Sequence, residues 1–269
     1  MALRAQVAPR LLADYLLSHG RTVVTLAEAA EVLGLTDNAA SDALTRLRRA
    51  GQFFSPTPGL YVAIPPQYRL WGAVPAMDFI DQLMAAVGRV YYVGLLSAAE
   101  LHGAAHQRPQ VFQVMVDRQY PDRDFGRVRL RFFTNARAAD VAVTLINSAT
   151  TQVRVSTPEV TTLDLASRPN DSGGLSNVAT VIGELAEDGK LDPSLLVSVA
   201  AMYPQSSVRR LGWLLDLLEI DLDQDRLLPL LSESPGGRPN AYLTPGGPRS
   251  GRTNRRWGLV ENTEVEPDL

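Results

Sequence analysis

Between Asp37 and Ala50 the chain carries Asn38, Ser41, Asp42, Thr45, Arg46, Arg48 and Arg49 on one side of a helical repeat, with Ala40, Ala43, Leu44 and Leu47 on the other. The polar set suits the reading of duplex DNA. An asparagine amide can meet adenine at two points, an arginine fork meets guanine, and serine or threonine hydroxyls serve bases or phosphates. Arg46, Arg48 and Arg49 lie toward the C-terminal end, where they complement the helix dipole and come within reach of phosphates. Thr36, the expected N-cap, joins them as a DNA-contact candidate. Arginines at a helix end also occur as solvated dipole partners, so the elements around this helix have to decide between the two readings.

Those elements read as helix, helix, short turn, helix, ribbon. Leu11, Leu12, Tyr15 and Leu16 recur at helical spacing before Gly20. Thr25 and Glu28 form a capping box for a second helix that ends at Gly34. The Asp37–Ala50 helix ends at Gly51, and Gln52–Phe54 and Leu60–Ile64 flank a Ser55-Pro56-Thr57-Pro58-Gly59 turn. This is the order of a winged helix-turn-helix, whose second motif helix enters the major groove. The wing has no Arg or Lys, which leaves it hydroxyls and backbone N–H groups for phosphate contact. So weakly basic a module is expected to bind as a dimer or on tandem sites. Pro65-Pro66 reads as a stiff linker.

Beyond about Arg69 the pattern is mixed: a helix over Met77–Val87, a strand at Val90–Val93, and a helix through Leu95–His102. Strands are expected at Val111–Val116, Val128–Phe133 and Gln152–Ser156. Helices follow from Thr157 through Leu165 and over Leu175–Glu187, Pro193–Met202, Ser206–Leu218 and Asp223–Leu231. Ser232–Arg256 reads as a long loop and Trp257–Val265 as a last strand. The fold class is therefore α+β, with a winged helix-turn-helix at 1–66 and a larger mixed α/β domain, helical toward its C-terminus, at 67–269.

Three other groupings could carry chemistry. His102 and His106, with Glu100 nearby, have the i, i+4 spacing of a metal pair. Their order is not that of a zinc protease helix and Gly103 interrupts it, so helix-end capping and packing is the preferred reading and no metal is expected. Gly246–Thr253 resembles a phosphate loop with Arg for Lys, but the prolines around it oppose the strand–loop–helix such a loop needs, and no cofactor is expected. Arg249, Arg252, Arg255 and Arg256 remain as a charge cluster, either solvated or facing nucleic acid or an acidic partner. The same choice applies to Arg127, Arg129 and Arg131, which alternate along a strand and share one face, as solvated surface or as a docking face for a protein or RNA. No nucleophile–base constellation of a hydrolase is recognisable, so the chain is not expected to be an enzyme.

The 269 residues suit two domains, and the absence of cysteine excludes disulfides, thiolate metal sites and a Cys nucleophile. Net charge is −3, so any attraction for nucleic acid is local to one face. Lys190 is the single lysine among 26 basic residues. The amphipathic N-terminus with Asp14 does not read as a signal peptide, and no run of about 18 apolar residues occurs. A cytoplasmic protein without membrane contact is expected.

The segment Tyr91–Gly103 (YYVGLLSAAELHG), followed by His106-Gln107-Arg108-Pro109, resembles the core signature of AbiEi-family antitoxins. Thr161–Leu165, Asp171–Leu175 with its glycine pair, Val208–Leu215 and Arg256–Asn262 add to the resemblance, which covers nearly the whole chain. It implies the antitoxin half of a type IV toxin–antitoxin or abortive-infection system. It also implies a nucleotidyltransferase-like toxin as partner and autorepression through double-stranded operator DNA. The uncharged wing departs from what such a repressor needs. A ligand-sensing transcriptional regulator without a toxin partner and an enzyme with a DNA-binding appendage are the alternatives.

Overall fold

A computed structural model of the chain describes residues 7–104, 110–232 and 241–268. A short 3-10 turn (Pro9–Leu11) leads into α1 (Leu12–Ser18), followed by β1 (Val23–Thr25), α2 (Leu26–Leu33), α3 (Asp37–Arg49), β2 (Phe53–Thr57) and β3 (Leu60–Ala63). The three strands form an antiparallel sheet in the order β1-β3-β2. The expected helices and ribbon are present in the order of a winged helix-turn-helix. β1 is an addition: it has three residues, of which only Val24 is buried, too short for alternation to register. The core joins Leu12, Leu16, Val24, Leu33, Leu44, Leu47 and Phe53. Each such buried side chain contributes about 1.5–3 kcal/mol.

The 3-10 turn Pro66–Tyr68 follows directly, so the two prolines open an element instead of forming a free linker. A second turn (Ala76–Asp78) and α4 (Ile80–Ala86) replace the longer helix expected over Met77–Val87. Then come β4 (Tyr91–Val93), α5 (Leu95–Leu101), β5 (Phe112–Val116), β6 (Arg123–Phe125), β7 (Val128–Thr134), β8 (Val143–Asn147) and β9 (Gln152–Ser156). These strands form a sheet in the order β6-β7-β5-β4-β9-β8. β5 and β7 run parallel, and β6 pairs antiparallel to β7 with Asp124 opposite Arg129.

The C-terminal part is helical: α6 (Pro158–Ser167), α7 (Leu175–Glu187), α8 (Pro193–Ala200) and α9 (Gln205–Leu217). α6 is buried on all sides, packed by α5, α7, α8 and α9. The Thr161 and Thr162 hydroxyls donate to carbonyls one turn back, and Asp164 accepts through Oδ1 from the Tyr203 hydroxyl at 2.8 Å. The helix expected at Asp223–Leu231 is a 3-10 segment, Gln224–Leu230, because Pro229 lies inside it and Asp223 adopts φ 54°. Within the expected loop, β10 (Ala241–Tyr242) and β11 (Arg252–Asn254) pair with β12 (Leu259–Glu261), while residues 233–240 lie outside the described set. The last strand is shorter than expected: Trp257 turns into the core and Gly258 adopts φ 59°.

By contacts the chain divides into two compact units. One comprises residues 1–92, 110–139 and 145–154, and the other residues 93–109, 140–144 and 155–269.

Candidate nucleic-acid interface

α2 and α3 are fixed by their ends. The Thr25 hydroxyl accepts from the Glu28 N–H at 3.3 Å while the Glu28 carboxylate accepts from the Thr25 N–H at 2.8 Å. Burial raises the Glu28 pKa, but these bonds and Arg21, paired at 2.7 Å, outweigh it and hold the carboxyl below its usual value. Gly34 adopts φ 63° and lets the chain turn, after which Thr36 caps α3 by accepting from the Ala39 N–H at 3.4 Å.

α3 buries Ala40, Ala43, Leu44 and Leu47. Thr36, Asn38, Asp42, Thr45, Arg46, Arg48 and Arg49 are exposed and Ser41 is half-buried. With about 100° per residue, Asn38, Asp42, Thr45 and Arg49 centre on the outward face, and Arg46 and Arg48 flank it on opposite sides. Among the described residues no carboxylate pairs with Arg46, Arg48 or Arg49, so the end of the helix presents three uncompensated cations. Thr45, Arg48 and Arg49 line an open cleft of about 490 Å³ together with Phe53, Phe54, Ile64 and Gly72.

The uncharged wing has a physical explanation. β2 packs against α4 and β6 of the same unit. Phe54, 9% exposed, meets Phe79 edge-on at 5.2 Å between ring centroids and Phe125 at 5.3 Å. Pro56 is buried, a bulge falls between Phe54 and Thr57, and only Pro58 and Gly59 form an exposed tip. A lysine or arginine at Phe54 or Pro56 would lose its hydration in this contact.

The two other arginine sets divide between paired and unpaired members. Arg131 is held by Asp124 at 2.7 Å and Asp122 at 3.4 Å, which keeps the Asp124 carboxyl below its ordinary pKa. Arg129 lies opposite Asp124, and Arg127 sits in the turn before β7 with its N–H donating to Trp71 O at 2.8 Å. Arg256 pairs with Asp216 at 3.0 Å and with Asp225, and its guanidinium lies 5.3 Å over the Trp257 ring. Arg249, Arg252 and Arg255 are exposed.

His102 caps the end of α5 and donates from Nε2 to Ser156 O at 2.7 Å. Burial lowers its pKa, and Lys190 adds to the effect against the Ser156 carbonyl and Glu159. His106 and the motif His106-Gln107-Arg108-Pro109 lie outside the described residues. The Gly246–Thr253 segment leads into β11, not a helix. A Cβ at Gly251 would fall 2.2 Å from Glu261 O and one at Gly247 2.9 Å from Asn262 Nδ2, so these glycines serve close backbone approach.

Two residues escaped sequence reasoning. Arg209 and Arg210, on α9, are 4% and 3% exposed. Arg209 donates to Trp257 O at 2.7 Å and Ser232 O at 2.6 Å. Arg210 donates to Leu243 O at 2.6 Å and to the carbonyls of Ala166 and Tyr242. Burial lowers the Arg210 pKa to about 10, which leaves it charged at neutral pH. The pair clasps the segment around β10 to α9. Gly212, one turn on, leaves room for Trp257, which is fully buried and donates to Asp216 at 2.6 Å.

A helix-turn-helix body with an exposed polar face on α3, a mixed sheet and a helical C-terminal part define an α+β protein. Residues 92–217 match the model of the AbiEi antitoxin C-terminal domain, so this stretch of the chain is similar to that domain. The matched domain supports an antitoxin role. The crystal structure of the RV2827C protein from Mycobacterium tuberculosis is similar, with a TM-score of 0.71 at 19% identity over 96% of this chain and 93% of that one, which shows a shared fold. No curated protein matches the chain. The segments at Thr161–Leu165, Asp171–Leu175 and Val208–Leu215 fall inside the matched span, and Arg256–Asn262 falls beyond it. Among the described residues, no helix is long and apolar enough to cross a membrane.

Proposed function

We propose that the chain is a non-enzymatic antitoxin that also represses its own operon, reading operator DNA through α3 and counteracting a nucleotidyltransferase-like toxin through the AbiEi domain. The observation that carries the DNA half is α3 itself: a buried apolar stripe backed by an outward face of amide and hydroxyl groups with three guanidinium groups that, among the described residues, have no carboxylate partner. Such a face matches base edges and phosphates better than it serves stability, since exposed arginines contribute little to folding. The toxin half rests on the family and on the resemblance that implies a nucleotidyltransferase partner. Arg249, Arg252 and Arg255 are the surface assigned to that partner, where charge complementarity guides encounter more than it adds affinity. A dimer on DNA supplies the affinity that one modestly charged module lacks.

The test is a gel-shift titration of the promoter region upstream of the coding sequence with the wild-type chain and with Arg48→Ala/Arg49→Ala. It is paired with a growth assay in which the chain is co-expressed with the product of the adjacent gene. Sequence-specific retardation and growth rescue are the expected results. Absence of both from the folded wild-type chain rejects the proposal.

A further inference from the structure

A winged helix usually flanks its reader helix with a charged wing, and here the wing is uncharged and partly covered, with only Pro58 and Gly59 exposed. The surface beside the reader helix is supplied by another part of the same unit. Gly72 lines the cleft that also holds Arg48 and Arg49. A Cβ placed on Gly72 would lie 3.3 Å from Gly126 Cα, and the Arg127 N–H donates to Trp71 O at 2.8 Å. The β6–β7 turn is thus seated on the turn at residues 68–72, next to the end of α3. Gly126 makes the seating possible: at φ 54°, a Cβ there would fall 1.8 Å from Trp71 O.

This turn is closed by backbone hydrogen bonds and carries large apolar side chains in exposed positions. Trp71 N donates to Tyr68 O at 2.8 Å, Gly72 N to Tyr68 O at 3.2 Å, and the Tyr68 and Trp71 rings lie 5.4 Å apart. Leu70 at its tip is 91% exposed and Trp71 is 38% exposed. Arg69 precedes them and Arg127 adjoins them, both exposed and, among the described residues, without an acidic partner. A solvated loop gains nothing from holding a leucine in water beside Arg69. A duplex offers matching chemistry, with phosphates for the guanidinium groups and a minor-groove floor or sugar edge for the apolar tip.

We infer that residues 69–71 and Arg127 form a second DNA contact that takes the place of the wing, with Arg69 and Arg127 on phosphates flanking the α3 site and Leu70 against the adjacent groove. The inference rests on the reading of α3 as a DNA-contacting helix. Bases are chosen by α3; the second contact lengthens the footprint on one side and steepens the salt dependence.

The experiment uses the full chain and a duplex of its own promoter region, titrated over a series of salt concentrations and mapped by hydroxyl-radical footprinting. Each lost phosphate contact removes about 0.9 from the slope of log K against log salt. Arg69→Ser/Arg127→Ser therefore flattens the slope by about 2 and weakens binding about 10- to 30-fold near 0.15 M salt. Protection is lost at one edge of the footprint and base preference stays unchanged. Arg69→Lys/Arg127→Lys keeps charge at both positions and retains the slope, and Leu70→Ser loses affinity without changing it. Wild-type slope and footprint in a folded Arg69→Ser/Arg127→Ser protein, or loss of toxin rescue alone, overturns the second contact while leaving α3 as the reader. Failure of the wild-type chain to bind the duplex removes both readings together. If the serine variant melts early, the Trp71 emission of the wild-type chain decides: quenching by duplex that is absent from Trp71→Phe supports the contact, and its absence from the wild type overturns it.

Discussion

If α3 reads DNA as proposed, Arg48 and Arg49 differ from Asn38 and Thr45 in what their loss does to binding. A guanidinium on phosphate holds every sequence alike, so Arg48→Ala/Arg49→Ala lowers affinity on specific and unrelated duplexes together and flattens the salt slope. Asn38→Ala and Thr45→Ala instead narrow the gap between the best site and its single-base variants, about 1–3 kcal/mol per base where a bidentate contact is lost. Competition gel shifts separate the two classes, and equal behaviour of all four variants would sink the division of labour along α3. His102 supplies a residue-scale prediction of another kind. Burial, the largest influence on it, holds its folded pKa below the ordinary 6.5. The unfolded chain therefore takes up a proton first as the medium acidifies. His102 is neutral in both states above about pH 6.5, so its share of stability is complete there and is lost as pH falls toward the folded pKa. Denaturant midpoints measured at neutral pH and below pH 6 fall for the wild type and fall less for His102→Gln, whose amide still offers a donor to Ser156 O.

α9 and the C-terminal strands behave as one element because of what passes between them. A Cβ on Gly212 would meet the Trp257 ring at 2.2 Å. Gly212→Ala must therefore displace a fully buried indole and costs about 1–3 kcal/mol or more, read as a lowered melting temperature. Arg210→Ala removes a buried donor from three carbonyls and costs about 3 kcal/mol or more. Replacing the exposed Arg249, Arg252 and Arg255 by serine leaves the melting temperature nearly unchanged and isolates their effect on toxin rescue. These elements also mark how far the sequence could be read. α2 and α3 were legible because a capping box, a left-handed glycine and a four-residue apolar stripe all agree on the same boundaries. β1 and β6 have three residues each, which gives alternation nothing to repeat. Leu95 begins α5 at φ 53°, a conformation no sequence rule assigns to a leucine. Nothing in the local sequence singles out Arg209 and Arg210 as buried, since an arginine inside a helix is normally exposed. Their burial depends on carbonyls at Ser232, Tyr242, Leu243 and Trp257, far along the chain. The reader face of α3 could be drawn from local spacing, whereas the covered wing could not, since Phe79 and Phe125 lie outside any local window.

For the molecule as a whole, the expected division at Pro66 is met by a contact that crosses it within one unit. A fragment ending at residue 66 would uncover Phe54 and Pro56, which the intact chain buries. It should melt at a lower temperature than the same region in the full chain and self-associate more readily, while Phe54→Ser in the fragment restores solubility. Analytical ultracentrifugation and thermal melts of the two fragments check this, and a stable monomer with Phe54 intact would refute it. The same contact sets a schedule for synthesis. The partners of Phe54 are encoded 25 and 71 positions downstream, at Phe79 and Phe125. At about 5–20 residues per second, the second partner follows the first strand of the ribbon off the ribosome by roughly 4–14 s. During that interval α3 exists without the surface that steadies its wing. A ribosome stalled before Phe125 would thus carry α3 beside a ribbon whose Phe54 still lacks its second aromatic partner, and the proposed repressor would be complete only once nearly half of its own coding sequence has been read.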